Sequence, residues 1–140
     1  MLLGEFDQRL DAKNRVTLPA RFRARFADGV VVTKGWDGCL FVWDRAGWER
    51  FTDARLGHLD PLSREARQMS RFLYGGAIEA DVDRQGRVML PPPLIAHATL
   101  DKEIVVVGVR DHLEIWDREA WKRESEFEGV EDVAERLAQR

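Results

Sequence analysis

Asp11, Lys13 and Arg15 alternate along the run Leu10-Asp11-Ala12-Lys13-Asn14-Arg15-Val16-Thr17-Leu18-Pro19, and Val82-Asp83-Arg84-Gln85-Gly86-Arg87-Val88-Met89-Leu90-Pro91 repeats the acid-to-arginine spacing. An acid followed by three loop-type residues and an arginine suits a turn whose carboxylate accepts backbone amides and holds the guanidinium. A guanidinium so positioned can still reach a phosphate oxygen or a guanine edge. Two roles are therefore open. In one, the pair only fixes a hairpin. In the other, a rigid turn presents Arg15 and Lys13 to an anionic partner. The aspartates fit the first role, and Lys13 and Arg9 fit the second because neither has an apolar task. Arg15 fits both.

No other group of residues converges on chemistry. His58, His97 and His112 stand in unrelated contexts, and none lies at metal-ligand spacing from another or from Cys39. Ser63 and Ser70 have no recognisable base nearby, and no glycine-rich phosphate loop is present. The expectation is a protein that is not an enzyme, with no metal, cofactor or small-molecule substrate. Trp43, Trp48, Trp116 and Trp121 recur at matched positions, which suits core packing better than base stacking.

The elements that must position the Asp–Arg pairs follow from their flanks. Val16-Thr17-Leu18 and Val88-Met89-Leu90 alternate as strands with one buried face. Pro19 and Pro91 stop those strands, since proline cannot donate to a ladder, and are placed to open a helix. The residue before each arginine is Asn14 in one copy and Gly86 in the other, the two types that best tolerate a positive φ. The unit is strand, tight turn, strand, proline and short helix, occurring twice.

The repeat runs further than the turn. Gly4-Glu5-Phe6-Asp7 and Gly76-Ala77-Ile78-Glu79 precede the two copies at the same distance, and Val42-Trp43-Asp44-Arg45 matches Ile115-Trp116-Asp117-Arg118. The offset is 72 in the turn and 73 downstream, so the chain duplicates a module of about seventy residues. The divisions expected are a first module at 1–50, a helical connection at 51–75, a second module at 76–125 and an acidic tail at 126–140.

Between these landmarks, Glu5–Leu10, Val30–Thr33, Leu40–Trp43, Glu103–Val109 and Leu113–Trp116 read as strands. Ala20–Phe26 reads as a short amphipathic helix with Phe22 and Phe26 inward. Asp44 caps a helix reaching about Leu56, with Trp48 and Phe51 inward, and Pro61 opens another. Leu62, Ala66, Met69 and Leu73 form the apolar stripe of that second helix, with Arg64, Arg67 and Arg71 outside. Pro92–Ala98 is a helix, Asp117 caps a last one, and the chain from Glu124 reads as a polar, acidic and partly frayed tail. Two short hairpins bury little alone, so the halves should interleave about a pseudo-twofold axis into one small barrel. The fold class is α+β, mostly β with short helices.

With 140 residues, one cysteine and no apolar run of membrane-spanning length, a cytosolic protein is expected. The net charge of −3 hides polarity: Arg9, Lys13, Arg15, Arg21, Arg23 and Arg25 face a single acid between residues 9 and 25, whereas six acids and no base lie between 124 and 135. A basic face on an acidic protein still attracts phosphate, because local potential governs binding.

The motif Leu-Asp-x-Lys-x-Arg-x-x-Leu-Pro, its second copy Asp-x-x-Gly-Arg-x-x-x-Pro and the later Ile-Trp-Asp resemble the MraZ family over essentially the whole chain. The resemblance implies two AbrB-like, swapped-hairpin halves in a bacterial, nucleoid-associated transcription regulator. It also implies a ring-shaped homo-oligomer on short direct repeats of double-stranded promoter DNA upstream of the division and cell-wall gene cluster, usually as a repressor. Asp11, Lys13, Arg15, Asp83, Gly86 and Arg87 carry the family pattern, with Asn14 where glycine is usual. The nucleic-acid-binding set expected is Arg9, Lys13, Asn14, Arg15, Arg21 and Arg23. The turn-forming set is Asp11, Pro19, Asp83, Gly86, Arg87 and Pro91. The rival reading is an AbrB-type oligomeric interaction or antitoxin-like module whose basic face binds a protein.

Overall fold

The computed structural model describes residues 1–140. Its strands are β1 (Leu2–Arg9), β2 (Arg15–Thr17), β3 (Val30–Lys34), β4 (Leu40–Trp43), β5 (Ala77–Ala80), β6 (Arg87–Met89), β7 (Glu103–Arg110) and β8 (Leu113–Asp117). The helices are α1 (Arg45–Leu56), α2 (Arg64–Gly75), α3 (Pro92–Ala98), α4 (Arg118–Glu124) and α5 (Val130–Ala138). Six strands form one antiparallel sheet in the order β1-β7-β8-β4-β3-β5, and β2 pairs with β6 in a separate ribbon. This is the α+β class expected, but the sheet is open, with β1 and β5 as its edges, and no closed barrel forms.

The register exposes the symmetry. In the ribbon Val16 pairs with Val88, its own equivalent in the duplication, and Arg15 pairs with Met89 as Thr17 pairs with Arg87. At the sheet centre Phe41 likewise pairs with its equivalent, Glu114. Both pairs lie on one pseudo-twofold axis. Each edge strand belongs to the opposite half, β1 lying on β7 and β5 on β3. The halves are therefore interleaved, and neither has a complete sheet of its own.

Both faces of the central strands are buried, which is why those strands read as unbroken apolar runs. Val30, Val32, Leu40, Val42, Ile104, Val106, Leu113 and Ile115 point to one side and join Val16, Val88, Leu18, Leu90, Phe22 and Leu94 in one core from both halves. The alternate residues Val31, Phe41, Trp43, Val105 and Trp116 point to the other side, against Trp48, Phe51 and Trp121 of α1 and α4. Of the matched tryptophans, Trp43 and Trp116 are buried core, and Trp48 and Trp121 are partly buried and pack against it, as their repetition suggested.

Two local expectations need correcting. Ala20–Phe26 is not an α-helix: a 3-10 turn spans Ala20–Phe22, and i→i+3 bonds continue through Phe26, although Phe22 and Phe26 are buried as expected. Pro19 caps this turn with no side-chain hydrogen bond, whereas α3 starts on Pro92 and Pro93, whose fixed φ pre-sets the first turn. The second helix begins at Arg64, capped by the Ser63 hydroxyl, so Leu62 lies outside it and is 85% exposed. Of the stripe only Ala66 and Leu73 are buried, and Met69 is exposed. Within the acidic tail, residues 130–138 form α5, a helix for which the sequence reading had no element.

Candidate nucleic-acid interface

The two Asp–Arg turns are the same object built twice. Asp11 Oδ1 accepts from the amides of Lys13 and Arg15, both at 2.9 Å, and Oδ2 accepts from Arg15 Nε at 2.6 Å. Asp83 Oδ1 accepts from the amides of Gln85 and Arg87, both at 2.9 Å, and Oδ2 from Arg87 Nε at 2.7 Å. Each turn closes with the aspartate amide donating to the arginine carbonyl, at 3.1 Å in the first and 3.0 Å in the second. Asn14 and Gly86 have φ of 58° and 80°, the left-handed conformation their types implied.

This wiring sets the electrostatics. The carboxyls of Asp11 and Asp83 lie below the usual 3.8: the amides of Arg15 and Arg87 lower them most, desolvation comes next and opposes this, and the guanidinium groups and the Lys13 and Gln85 amides add to the lowering. Both acids stay ionised and are consumed within their turns. Each arginine uses only Nε for the pair, so its two terminal nitrogens have no protein hydrogen bond.

The ribbon brings the turns together. Val16 and Val88 face the core, so Arg15, Thr17, Arg87 and Met89 share the outward face, with the arginines diagonal to one another. Leu18 donates its amide to Gly86 O at 2.8 Å and Leu90 donates to Asn14 O at 2.9 Å, so each strand end is tied to the other turn's apex. Lys13, Asn14, Arg84 and Gln85 stand exposed at the two apices.

The remaining predicted residues spread around this face. Arg9 is exposed at the end of β1 and lines a cleft of about 660 Å³ with Asp11, Asn14, Ile95, Asp101 and Lys102. Arg21 is exposed, its guanidinium 5.4 Å from the Phe6 ring centroid. Arg23 is half-buried, donates from Nε to Leu18 O at 3.2 Å, and lies against Gly86 of the second turn. Pro19 is buried and Pro91 half-buried behind the ribbon. Arg25, the last of the basic run, is turned away to the Asp111 carbonyl at 3.3 Å and to Asp44 at 3.7 Å.

Sequence reasoning passed over Arg84, Gln85 and Lys102. The signal for the first two was the repeat itself, since Gln85 occupies the place of Lys13. Lys102 could be found only through the pairing of β1 with β7, which seats its carbonyl on the Leu10 amide at 2.9 Å.

The duplication has an independent counterpart in comparisons with known proteins. The sequence model of the family described as "MraZ protein, putative antitoxin-like" matches twice, over residues 1–70 and 73–140. The chain belongs to the MraZ family. A protein of Lachnoclostridium phytofermentans is similar to it at 40% identity, covering 99% of this chain and 96% of the relative. One from Desulforamulus reducens reaches 46% identity over 88% of this chain and 86% of its own. Both relatives are named transcriptional regulator MraZ. The Asp–Arg turns described above therefore sit once in each of the two MraZ-matching halves.

No group of three or more His, Cys, Asp or Glu residues could hold a metal ion, and no helix is long and apolar enough to cross a membrane. His97 Nε2 lies 3.1 Å from the Gly35 carbonyl oxygen, His112 stacks on Trp43, and His58 is exposed, so the three imidazoles do not converge.

Proposed function

We propose that the protein is a transcription regulator whose β2–β6 ribbon binds double-stranded promoter DNA. The reading rests on one observation above all: the ribbon register sets both Asp–Arg turns on one outward face, with their acids already paired within the turns. A two-stranded ribbon fits the major groove, which is about 12 Å wide. Lys13, Arg84 and Arg9 are placed to neutralise phosphates, while Arg15 and Arg87 offer terminal nitrogens to phosphate or to guanine O6 and N7. Asn14, Arg21 and Arg23 complete the contact set. The first turn, with Arg9 and Lys102 beside it, makes the principal contact; at the second, Arg84 and Arg87 are joined by Arg23, and Gln85 stands where the first turn has Lys13.

In this reading the interleaved halves form one swapped-hairpin unit. Several units assemble into a ring, which meets short direct repeats and turns weak single contacts into avidity. The target is the promoter of the division and cell-wall genes, the effect repression, and the place of action the nucleoid. The antitoxin-like wording of the family description favours a second reading, in which the basic face binds a protein. Salt separates the two, because DNA affinity falls steeply as phosphate counterions are released.

Retardation of DNA from upstream of the protein's own gene tests the assignment. Lys13→Ala should reduce the salt slope by about 1 and leave melting unchanged. Arg15→Ala should abolish binding, because each lost bidentate contact is worth ~1–3 kcal/mol and recurs in every subunit. An Arg15→Ala protein that is folded, assembled and binds normally would remove Arg15 from the interface. Alanine replacement of the first basic cluster should cost more affinity than that of the second, and equal losses would contradict the ranking.

A further inference from the structure

Two unmatched apolar surfaces stand in different parts of the chain, one at its C-terminal end and one near its middle. α5 carries Val130, Val133, Ala134 and Leu137 at i, i+3, i+4 and i+7, the spacing of one helical face. That face covers nothing: no residue of α5 is buried, and Val130, Val133 and Leu137 are 53%, 42% and 59% exposed. A helix of nine residues is short of the roughly 12–15 at which isolated helices become even marginally stable in water, so it needs a surface to lie on.

The second surface is a groove of about 600 Å³ between α1 and α2, lined chiefly by Trp36, Phe51, Leu56, Leu59, Met69 and Leu73. No residue of α5 lines it, so within its own chain the helix is formed and unseated. The charges around the two surfaces are opposite. Glu126, Glu128, Glu131, Asp132 and Glu135 surround the apolar face of the tail. Arg55 lines the groove, and Arg67 and Arg71 line the adjoining cleft that shares Leu56, Leu59 and Ala66 with it. Asp60 and Glu65 also line the groove and oppose this match, so groove and adjoining cleft together carry three bases against two acids.

We infer that α5 of one copy docks its Val130–Val133–Leu137 face into the α1–α2 groove of a second copy. The inference rests on the multi-subunit reading above and supplies its contact. Knob and groove are different surfaces, so the contact is heterologous: each copy gives its tail to one neighbour and its groove to another. Such a head-to-tail contact generates a ring where the rotation closes, and a filament where it does not.

The test uses the full chain. Val133→Gln with Leu137→Gln removes the apolar face while keeping good helix formers, and Met69→Glu sets an acid in the groove against an acidic tail. Far-ultraviolet circular dichroism establishes that the fold is kept, and sedimentation reads mass. The parent should be multi-subunit, and each variant should fall to half that mass or less. Mixed in equal amounts, the two variants combine one intact tail with one intact groove, doubling in mass without growing further. A monomeric parent would overturn the multi-subunit reading and this contact together. An assembled parent whose tail variant keeps the full mass would overturn the tail contact alone.

Discussion

Gly86→Ala tests whether the second turn is held by the first half of the chain. Gly86 has φ of 80°, and a methyl group there would lie 2.3 Å from Arg23 Nε and 2.8 Å from its Cδ. Holding alanine in a left-handed conformation costs roughly 1–2 kcal/mol. Arg23 is flexible and can swing away, but only by giving up its hydrogen bond to Leu18 O, worth ~1 kcal/mol or somewhat more. The sum is roughly 2–3 kcal/mol, which for a chain of this size lowers the melting temperature by about 6–12 °C. The assay is a double-mutant cycle with Arg23→Ala at fixed protein concentration, since assembly also shifts melting. With Arg23 already truncated, Gly86→Ala should cost only the backbone part, leaving a coupling of about 1 kcal/mol. At the symmetry-related position, Asn14→Gly should change stability by less than about 0.5 kcal/mol, because asparagine already tolerates this backbone. A Gly86→Ala protein that melts within ~2 °C of the parent, or an additive cycle, would refute the cross-module clamp.

Two further outcomes follow from groups whose environment shifts their protonation. Folding depresses the carboxyls of Asp11 and Asp83, so their contribution to stability is complete above the ordinary value of 3.8 and is lost as pH falls through the lower folded values. The part of the stability against urea that these carboxyls supply should therefore begin to fall as pH approaches 3.8 and go on falling below it, and Asp11→Asn with Asp83→Asn should flatten that fall; an unchanged profile would count against the turn wiring. Burial drives the Cys39 thiol strongly upward, and its Sγ lies 3.2 Å from the Trp36 carbonyl oxygen, so thiol reagents at neutral pH should label it only on unfolding. Rapid labelling of the native protein would contradict the buried position of Cys39, the residue just before β4.

How much of this was legible in the sequence differs by element, for physical reasons. The Asp–Arg turns could be read because their determinants are local: an acid, three loop residues, a left-handed position and an arginine lie within five residues. The strands could be read because apolar runs with β-branched residues are unambiguous when both faces are buried. What failed needed distant partners. Met69 and Leu62 have the right spacing for a buried stripe, yet nothing in this chain covers them. Residues 130–138 look solvated by charge, but their apolar positions recur at helical spacing. The open sheet was hidden because β1 and β5 each pair on one side only, a matter of register that no local pattern encodes. At the candidate interface the individual basic residues were legible. Their convergence was not, since it depends on Val16 pairing with Val88 across seventy residues of chain.

That pairing also bears on the kind of operator the proposed regulator would use. A true dimer with two identical turns about its axis presents the same chemistry in both directions and matches a palindrome. Here the backbone keeps the twofold axis while the side chains break it: Lys13 and Asn14 at one apex face Gln85 and Gly86 at the other, with Arg84 in place of Ala12. A ribbon of this kind has a direction, and it fits a half-site one way round. If successive copies are joined by a heterologous contact, each ribbon meets the DNA in the same sense as the one before. Direct repeats are then the arrangement that lets several subunits bind at once, and inverting one repeat should cost avidity while leaving each half-site's sequence intact. Retardation with one repeat inverted at unchanged spacing reads this directly, and equal affinity for both arrangements would sink the directional ribbon.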